Sequence, residues 1–196
     1  MTGKKPTVCV YCGSRFGNDK TYEEAAKALG ERLAQDGNTL VYGAGTVGLM
    51  GVVARAALDK GGDVIGVIPD HLDDVEITQD GLTETITTNT MHERKKIMFD
   101  RSDAFVVLPG GLGTMDETFE VLTWAQLGLH DHPIVVWNVG GFWTSLKDFV
   151  WKMCDAGFVD AKTLEKLIFV DTLEEVIQTI DTAYEGPRAE ARSDLF

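Results

Sequence analysis

Short β-branched runs alternate with helix-like segments along almost the whole chain, and that alternation leaves few folds open. "TVCVYC" precedes "TYEEAAKALGERLAQDG", in which alanine and leucine recur at helical spacing and Gly37 stands where the helix should stop. "TLVYG", "GLMGVVARAALDKGG" and "DVIGVIP" come next. They are followed by "MHERKKIMFDRS", "AFVVLPG", "TMDETFEVLTWAQLG", "PIVVWN", "FWTSLKDFVWKMCDAG", "LIFV" and "TLEEVIQTIDTAYEG". Parallel strands joined by helical crossovers satisfy this pattern, and the right-handedness of such crossovers restricts the arrangement further. The fold class expected is α/β: a single Rossmann-like doubly wound parallel sheet with helices on both faces.

A chain of 196 residues is long enough for one such domain, and no composition break or internal repeat divides it. Residues 1–185 are read as the domain. The remaining 186–196, "GPRAEARSDLF", open on Gly-Pro and lack an apolar stripe, so a mobile tail is expected there. Periodicity fails between Asp70 and Asn89, where an acidic loop with one short strand is expected.

A formal net charge of -13 argues against nucleic acid as a partner. It is compatible with a small phosphorylated ligand, because salt screens a distant negative field over about 10 Å. No apolar run approaches the roughly 20 residues of a membrane span, and "MTGKKPTVCVYCGS" has no signal-peptide core. Cytoplasm and no membrane are the expectation. Of three cysteines, Cys9 and Cys12 spell C-x-x-C, but Cys9 lies inside a strand-like run, so both are read as structural.

Three turns lead from strands into helices: "CGSRFG" at 12–17, "GAGTVG" at 43–48 and "PGGLGT" at 109–114. In a parallel sheet all three lie at the carboxyl edge, where open α/β sheets bind ligands. "GAGTVG" matches G-x-G-x-x-G, but it follows the second strand instead of the first. Asp63 begins its strand and Asp70 lies beyond Pro69, so the acidic partner of a dinucleotide fingerprint is missing. A tight turn with close helix packing is the better reading.

"PGGLGT" exposes the amides of Gly110, Gly111 and Gly113 and adds the Thr114 hydroxyl at the mouth of a helix expected near Met115, which together make an anion site. It is no Walker loop, because Gly113 stands where the lysine would be. Thr114 and Glu117 also spell a capping box, and locally the two readings are balanced. Glu117 and Glu120 lie three apart and are expected on one side of the helix. A phosphorylated sugar held by the amides would bring its ribose hydroxyls to these carboxylates, which could also stabilise an oxocarbenium-like transition state.

"MHERKKIM" at 91–98 opens another helix. His92-Glu93 starts the H-E-x-x-H zinc motif, but Lys96 replaces the second histidine, so no metal is expected. Met91, Lys95 and Met98 share a side at helical spacing, with Arg94 adjacent, so packed methionines and a cation reaching the sheet edge are expected. Counted only as charges, Arg94, Lys95 and Lys96 read as a solvated face. His71, His130 and His132 receive no role.

Together "MHERKKIM" and "PGGLGTMDE" resemble the paired signatures M-H-x-R-K-x-x-M and P-G-G-x-G-T-x-x-E of the Lonely Guy family. These are cytokinin-activating nucleoside 5'-monophosphate phosphoribohydrolases, often labelled possible lysine decarboxylases. The likeness runs from "VCVYCGS" through "VYGAGTVGLMG" to "TWAQLG" and "NVGGFW". It implies hydrolysis of the N-glycosidic bond of AMP or an N6-prenylated analogue, with Arg94 and Glu117 as the catalytic pair. Lys95, the run Gly111, Leu112, Gly113, Thr114, Met115 and Asp116, and Thr123 match the family's substrate contacts, as does Glu76 in a variable loop. Ser14, Gly45, Gly110 and Glu120 complete the expected substrate-binding set. The resemblance implies a homodimer with sites near the interface and no PLP, metal or nucleotide cofactor. "GAGTVG" departs from the frequent "GGGSVG" but stays small, and "TQDGLTETITTNT" differs more from plant members, leaving the preferred base open. The competing class is a non-catalytic nucleotide-binding sensor or carrier of the same fold.

Overall fold

The computed structural model describes residues 5–70 and 79–185. The 186–196 tail, His71 and Glu76 lie outside the described residues. Seven strands form one sheet: β1 (Thr7–Tyr11), β2 (Thr39–Tyr42), β3 (Val64–Pro69), β4 (Glu84–Thr88), β5 (Ala104–Val107), β6 (Ile134–Trp137) and β7 (Leu167–Val170). Their order is β4-β3-β2-β1-β5-β6-β7, and every neighbouring pair is parallel. From β1 the chain winds outward to β4, returns to β5 on the other side of β1, and winds outward again. The reversal between β1 and β5 is a topological switch point, where the chain leaving β1 and the chain leaving β5 pass to helices on opposite faces of the sheet.

The helices are α1 (Lys20–Gln35), α2 (Gly48–Asp59), α3 (Met91–Asp100), α4 (Leu112–Gln126), α5 (Thr144–Asp155), the short α6 (Ala161–Leu164) and α7 (Leu173–Glu185). Central strands are buried on both faces, which is why they read as continuous apolar runs. Alternate residues feed two cores. Val8, Val10, Leu40, Val106 and Val135 pack under α1, α2 and α7. Cys9, Tyr11, Val41, Phe105 and Val136 pack under α3, α4, α5 and α6. Cys9 and Cys12 fall in opposite cores, and burial pushes both thiols well above the ordinary range, as befits structural cysteines. The acidic segment supplies β4, whose half-buried alternation is that of an edge strand.

Two local expectations are corrected. Helix α4 begins at Leu112, not near Met115, with Gly111 as its N-cap and no side-chain cap. Thr114 therefore sits inside the first turn, buried, and its carbonyl accepts from Thr118 Oγ1 at 2.6 Å, so the Thr114–Glu117 capping box does not form. A capping box does open α3, where Thr90 Oγ1 accepts from the Glu93 amide at 3.1 Å and Glu93 reaches back to the Asn89 amide at 2.7 Å. On α3, Met98 is buried as expected but Met91 is 38% exposed. Arg94 and Lys95 are buried, and only Lys96, paired with Asp100 at 2.7 Å, fits the solvated-face reading.

Candidate active site

The three glycine turns interlock at the switch point. The Gly13 amide donates to the Pro109 carbonyl at 3.0 Å, and the Gly13 carbonyl accepts from the Leu49 amide, also at 3.0 Å. Gly48 adopts φ +67° with its α-carbon pressed on Ser14, where a β-carbon would lie 2.3 Å from the Ser14 carbonyl carbon. Gly110 has no room for a side chain either, because a β-carbon would lie 2.1 Å from Thr114 Oγ1 and 3.0 Å from the Gly13 amide. Two amides of the first turn of α2, those of Leu49 and, at 3.4 Å, Met50, are thus bonded to the Gly13 carbonyl. The Gly45 amide likewise bonds the Gly43 carbonyl at 2.9 Å, and Gly45 is buried.

The start of α4 differs. The amides of Leu112, Gly113 and Thr114 have no acceptor within the helix, and the helix dipole adds positive potential there. Gly111 and Gly113 have ordinary negative φ, and a β-carbon at either would meet no atom within 4 Å. Gly113 weakens a helix by roughly 1 kcal/mol relative to alanine without any packing reason inside the chain. What the two glycines leave is open approach to the amides.

Helix α3, which packs over the same core as α4, brings two cations to this mouth. Arg94, 7% exposed, donates from Nε to the Val67 carbonyl at 3.0 Å and from Nη2 to the Gly43 carbonyl at 3.1 Å. Lys95 donates to Asp116 at 3.1 Å and Glu120 at 3.0 Å. Burial lowers its pKa, but the two carboxylates outweigh that and hold it above the usual lysine value.

Glu117 and Glu120 do not share one site as expected. Residues three apart on a helix diverge by about 60°, whereas Asp116 and Glu120 diverge by about 40° and converge on Lys95. Glu117 turns instead toward Arg94. Burial raises its carboxyl from 4.5 to about 7. Arg94 and Lys95 act against that rise, while Asp116 and Glu120 add to it. Among the described residues no donor bonds this carboxylate.

Arg94 and Glu117 line a cleft of about 200 Å³ with Cys12, Gly13, Ser14, Met50, Gly111, Leu112, Gly113 and Thr114. Six of the expected contacts, Ser14, Gly111, Leu112, Gly113, Thr114 and the catalytic pair's Glu117, thus meet Arg94 around one space. Gly110 lines an adjoining apolar cleft of about 510 Å³ with Phe16, Tyr22 and Phe142. Met115, Asp116, Glu120 and Thr123 line an open groove of about 600 Å³ on the outer side of α4, where Thr123 Oγ1 bonds the Phe119 carbonyl at 2.7 Å. Gly45 lines none of these three clefts. Sequence reasoning missed Met50, Gly13 and the Gly43 carbonyl. Gly43 carried a signal, the first glycine of "GAGTVG", but a signal that pointed only to a tight turn.

A family model described as "Possible lysine decarboxylase" matches residues 50–180. Cytokinin riboside 5'-monophosphate phosphoribohydrolase LOG2 of Arabidopsis thaliana is 43% identical over 174 residues, spanning 89% of this chain and 82% of that protein. The chain belongs to the Lonely Guy family. Another family member, LOG1 of Arabidopsis thaliana, is 41% identical over 181 residues, which cover 92% of this chain and 85% of its own. Among solved structures, the Moco carrier protein of Chlamydomonas reinhardtii superposes with a TM-score of 0.71 at 22% identity, covering 92% of this chain and 98% of the other. The molybdenum cofactor binding protein of Rippkaea orientalis gives 0.72 at 21% identity, covering 93% and 99%. At those identities the likeness of the carriers to this Lonely Guy chain is one of Rossmann-like fold alone.

Proposed function

We propose that this protein hydrolyses the N-glycosidic bond of a purine nucleoside 5'-monophosphate, AMP or an N6-prenylated analogue, to free base and ribose 5-phosphate. The observation that carries the reading is Glu117, a carboxyl raised to about 7 that faces the buried Arg94 across a cleft floored by open helix amides. Relatives named as phosphoribohydrolases at 41–43% identity support it.

The amides of Leu112, Gly113 and Thr114 suit a dianionic phosphate, and Gly111 and Gly113 let it come close. Glu117 then stands beside the sugar. As C1' separates from the purine nitrogen, positive charge grows on the sugar and negative charge on the base. Glu117 stabilises the first and takes a proton from the attacking water, whose oxygen bonds C1'. A carboxyl that titrates near neutrality is suited to that transfer. The electron pair of the broken bond leaves with the base. Arg94 offsets its charge as a fixed cation, and the base nitrogen is protonated from solvent.

We expect a homodimer in the cytoplasm. Among the described residues no helix is long and apolar enough to cross a membrane. The test is incubation of purified protein with AMP and with isopentenyladenosine monophosphate, followed by chromatography for free base. Stoichiometric base and ribose 5-phosphate are expected from at least one. Tight nucleotide binding without base release would make the protein a sensor or carrier instead.

A further inference from the structure

The first glycine of "GAGTVG" belongs to neither a dinucleotide site nor the packing of α2. A β-carbon on Gly43 would lie 1.9 Å from Arg94 Nη2 and 3.1 Å from Cζ, and its next neighbour is Met50 Sδ at 3.3 Å. Gly43 is absent from the residues of positive φ, so backbone conformation does not require glycine there. The space over its α-carbon is filled by the guanidinium.

We propose that Gly43 is a positioning residue, the seat on which the catalytic guanidinium of Arg94 rests. The inference deepens the phosphoribohydrolase reading and rests on it for the role of Arg94. The seat has two parts. The missing side chain lets Arg94 lie flat against the backbone, and the carbonyls of Gly43 and Val67 take Nη2 and Nε at 3.1 and 3.0 Å. These acceptors come from the residue just after β2 and from within β3, two adjacent strands, so they cannot move independently. Both are neutral dipoles. They fix the orientation of the guanidinium without neutralising it, and a cation held by a carboxylate would have less charge to offer a departing base. Among the described residues nothing else accepts from Arg94, which leaves Nη1 and the second hydrogen of Nη2 to the cleft shared with Glu117. A positioned charge of this kind loses effect when displaced by about 1 Å.

The test is a double-mutant cycle with Gly43→Ala and Arg94→Ala, read in both turnover and thermal melting. For turnover, Gly43→Ala should lower kcat to within about tenfold of Arg94→Ala while KM changes by less than about threefold, and the double variant should be no slower than Arg94→Ala alone. For melting, Gly43→Ala should lower Tm in the wild-type background and lower it much less when Arg94 is already alanine, because the collision is gone. If Gly43→Ala fails to fold, the double variant should still fold and melt near Arg94→Ala. Full turnover in Gly43→Ala, multiplicative losses in the double variant, or equal Tm drops in both backgrounds would each overturn the seat. The melting cycle needs no substrate, so a wild-type protein inert toward nucleotides would defeat the proposed reaction while the seat is still decided.

Discussion

Replacing Glu117 by glutamine should make the protein more stable and less active, and the stability gain should depend on pH in a particular direction. Burial raises the carboxyl from 4.5 to about 7, so the native state keeps the proton through a window in which the unfolded chain has lost it. Below about pH 4.5 the group is neutral in both states and carries no penalty. As pH rises from 4.5 to 7 the unfolded chain gives up the proton that the native state retains, so the penalty grows to roughly 3 kcal/mol by pH 7 and stays level above it. Glutamine has nearly the same shape and no charge, so the variant escapes the penalty. The expected difference in unfolding free energy, variant minus wild type, is near zero at pH 4.5 and up to about 3 kcal/mol in favour of the variant at pH 9. Urea denaturation followed by tryptophan fluorescence at pH 4.5, 7 and 9 measures it, and other titrating groups cancel in the comparison. Turnover of the nucleotide should fall by about 10²–10³-fold, the scale on which a preorganised electrostatic group acts. A difference that is flat with pH would refute the reasoning about burial. A variant destabilised by about 1 kcal/mol at every pH, with turnover intact, would leave Glu117 a structural role only.

Lys95→Met should leave Asp116 and Glu120 without their cation and remove one of the two positive charges that restrain Glu117. The acidic limb of the pH-rate profile should move upward, with a stability loss of about 1–2 kcal/mol in urea melts. An unshifted limb would mean that Lys95 acts on substrate alone. Gly113→Ala should raise stability by about 0.5–1 kcal/mol, because its β-carbon meets nothing in the protein and alanine favours the helix. KM for the nucleotide should nonetheless rise at least about tenfold as that β-carbon enters the space over the amides. An unchanged KM would take the phosphate away from the α4 amides.

Much of the molecule was legible because its signals are local. The apolar runs "TVCVY", "TLVY" and "AFVV" are buried on both faces, and a strand so placed has no polar face to confuse the reading. "PGGLGT" announced open amides through its glycines. The same glycines misled at closer range, since poor helix formers placed the expected start of α4 at Met115, three residues late, and made Thr114–Glu117 read as a cap. The cations on α3 were harder still. Nothing within "ERKK" separates Arg94 from Lys96, because the difference lies in carbonyls 27 and 51 residues away in sequence.

By itself the sequence determined the class of fold, the open amides of one turn and the kinship that names the chemistry, since each is written in short-range pattern. Only the tertiary structure decided that the strands run β4-β3-β2-β1-β5-β6-β7, that Arg94 lies on Gly43, and that Glu117 faces Arg94 while Glu120 goes to Lys95. Burial and charge pairing depend on what the fold brings alongside a side chain, and its immediate neighbours along the chain do not carry that information.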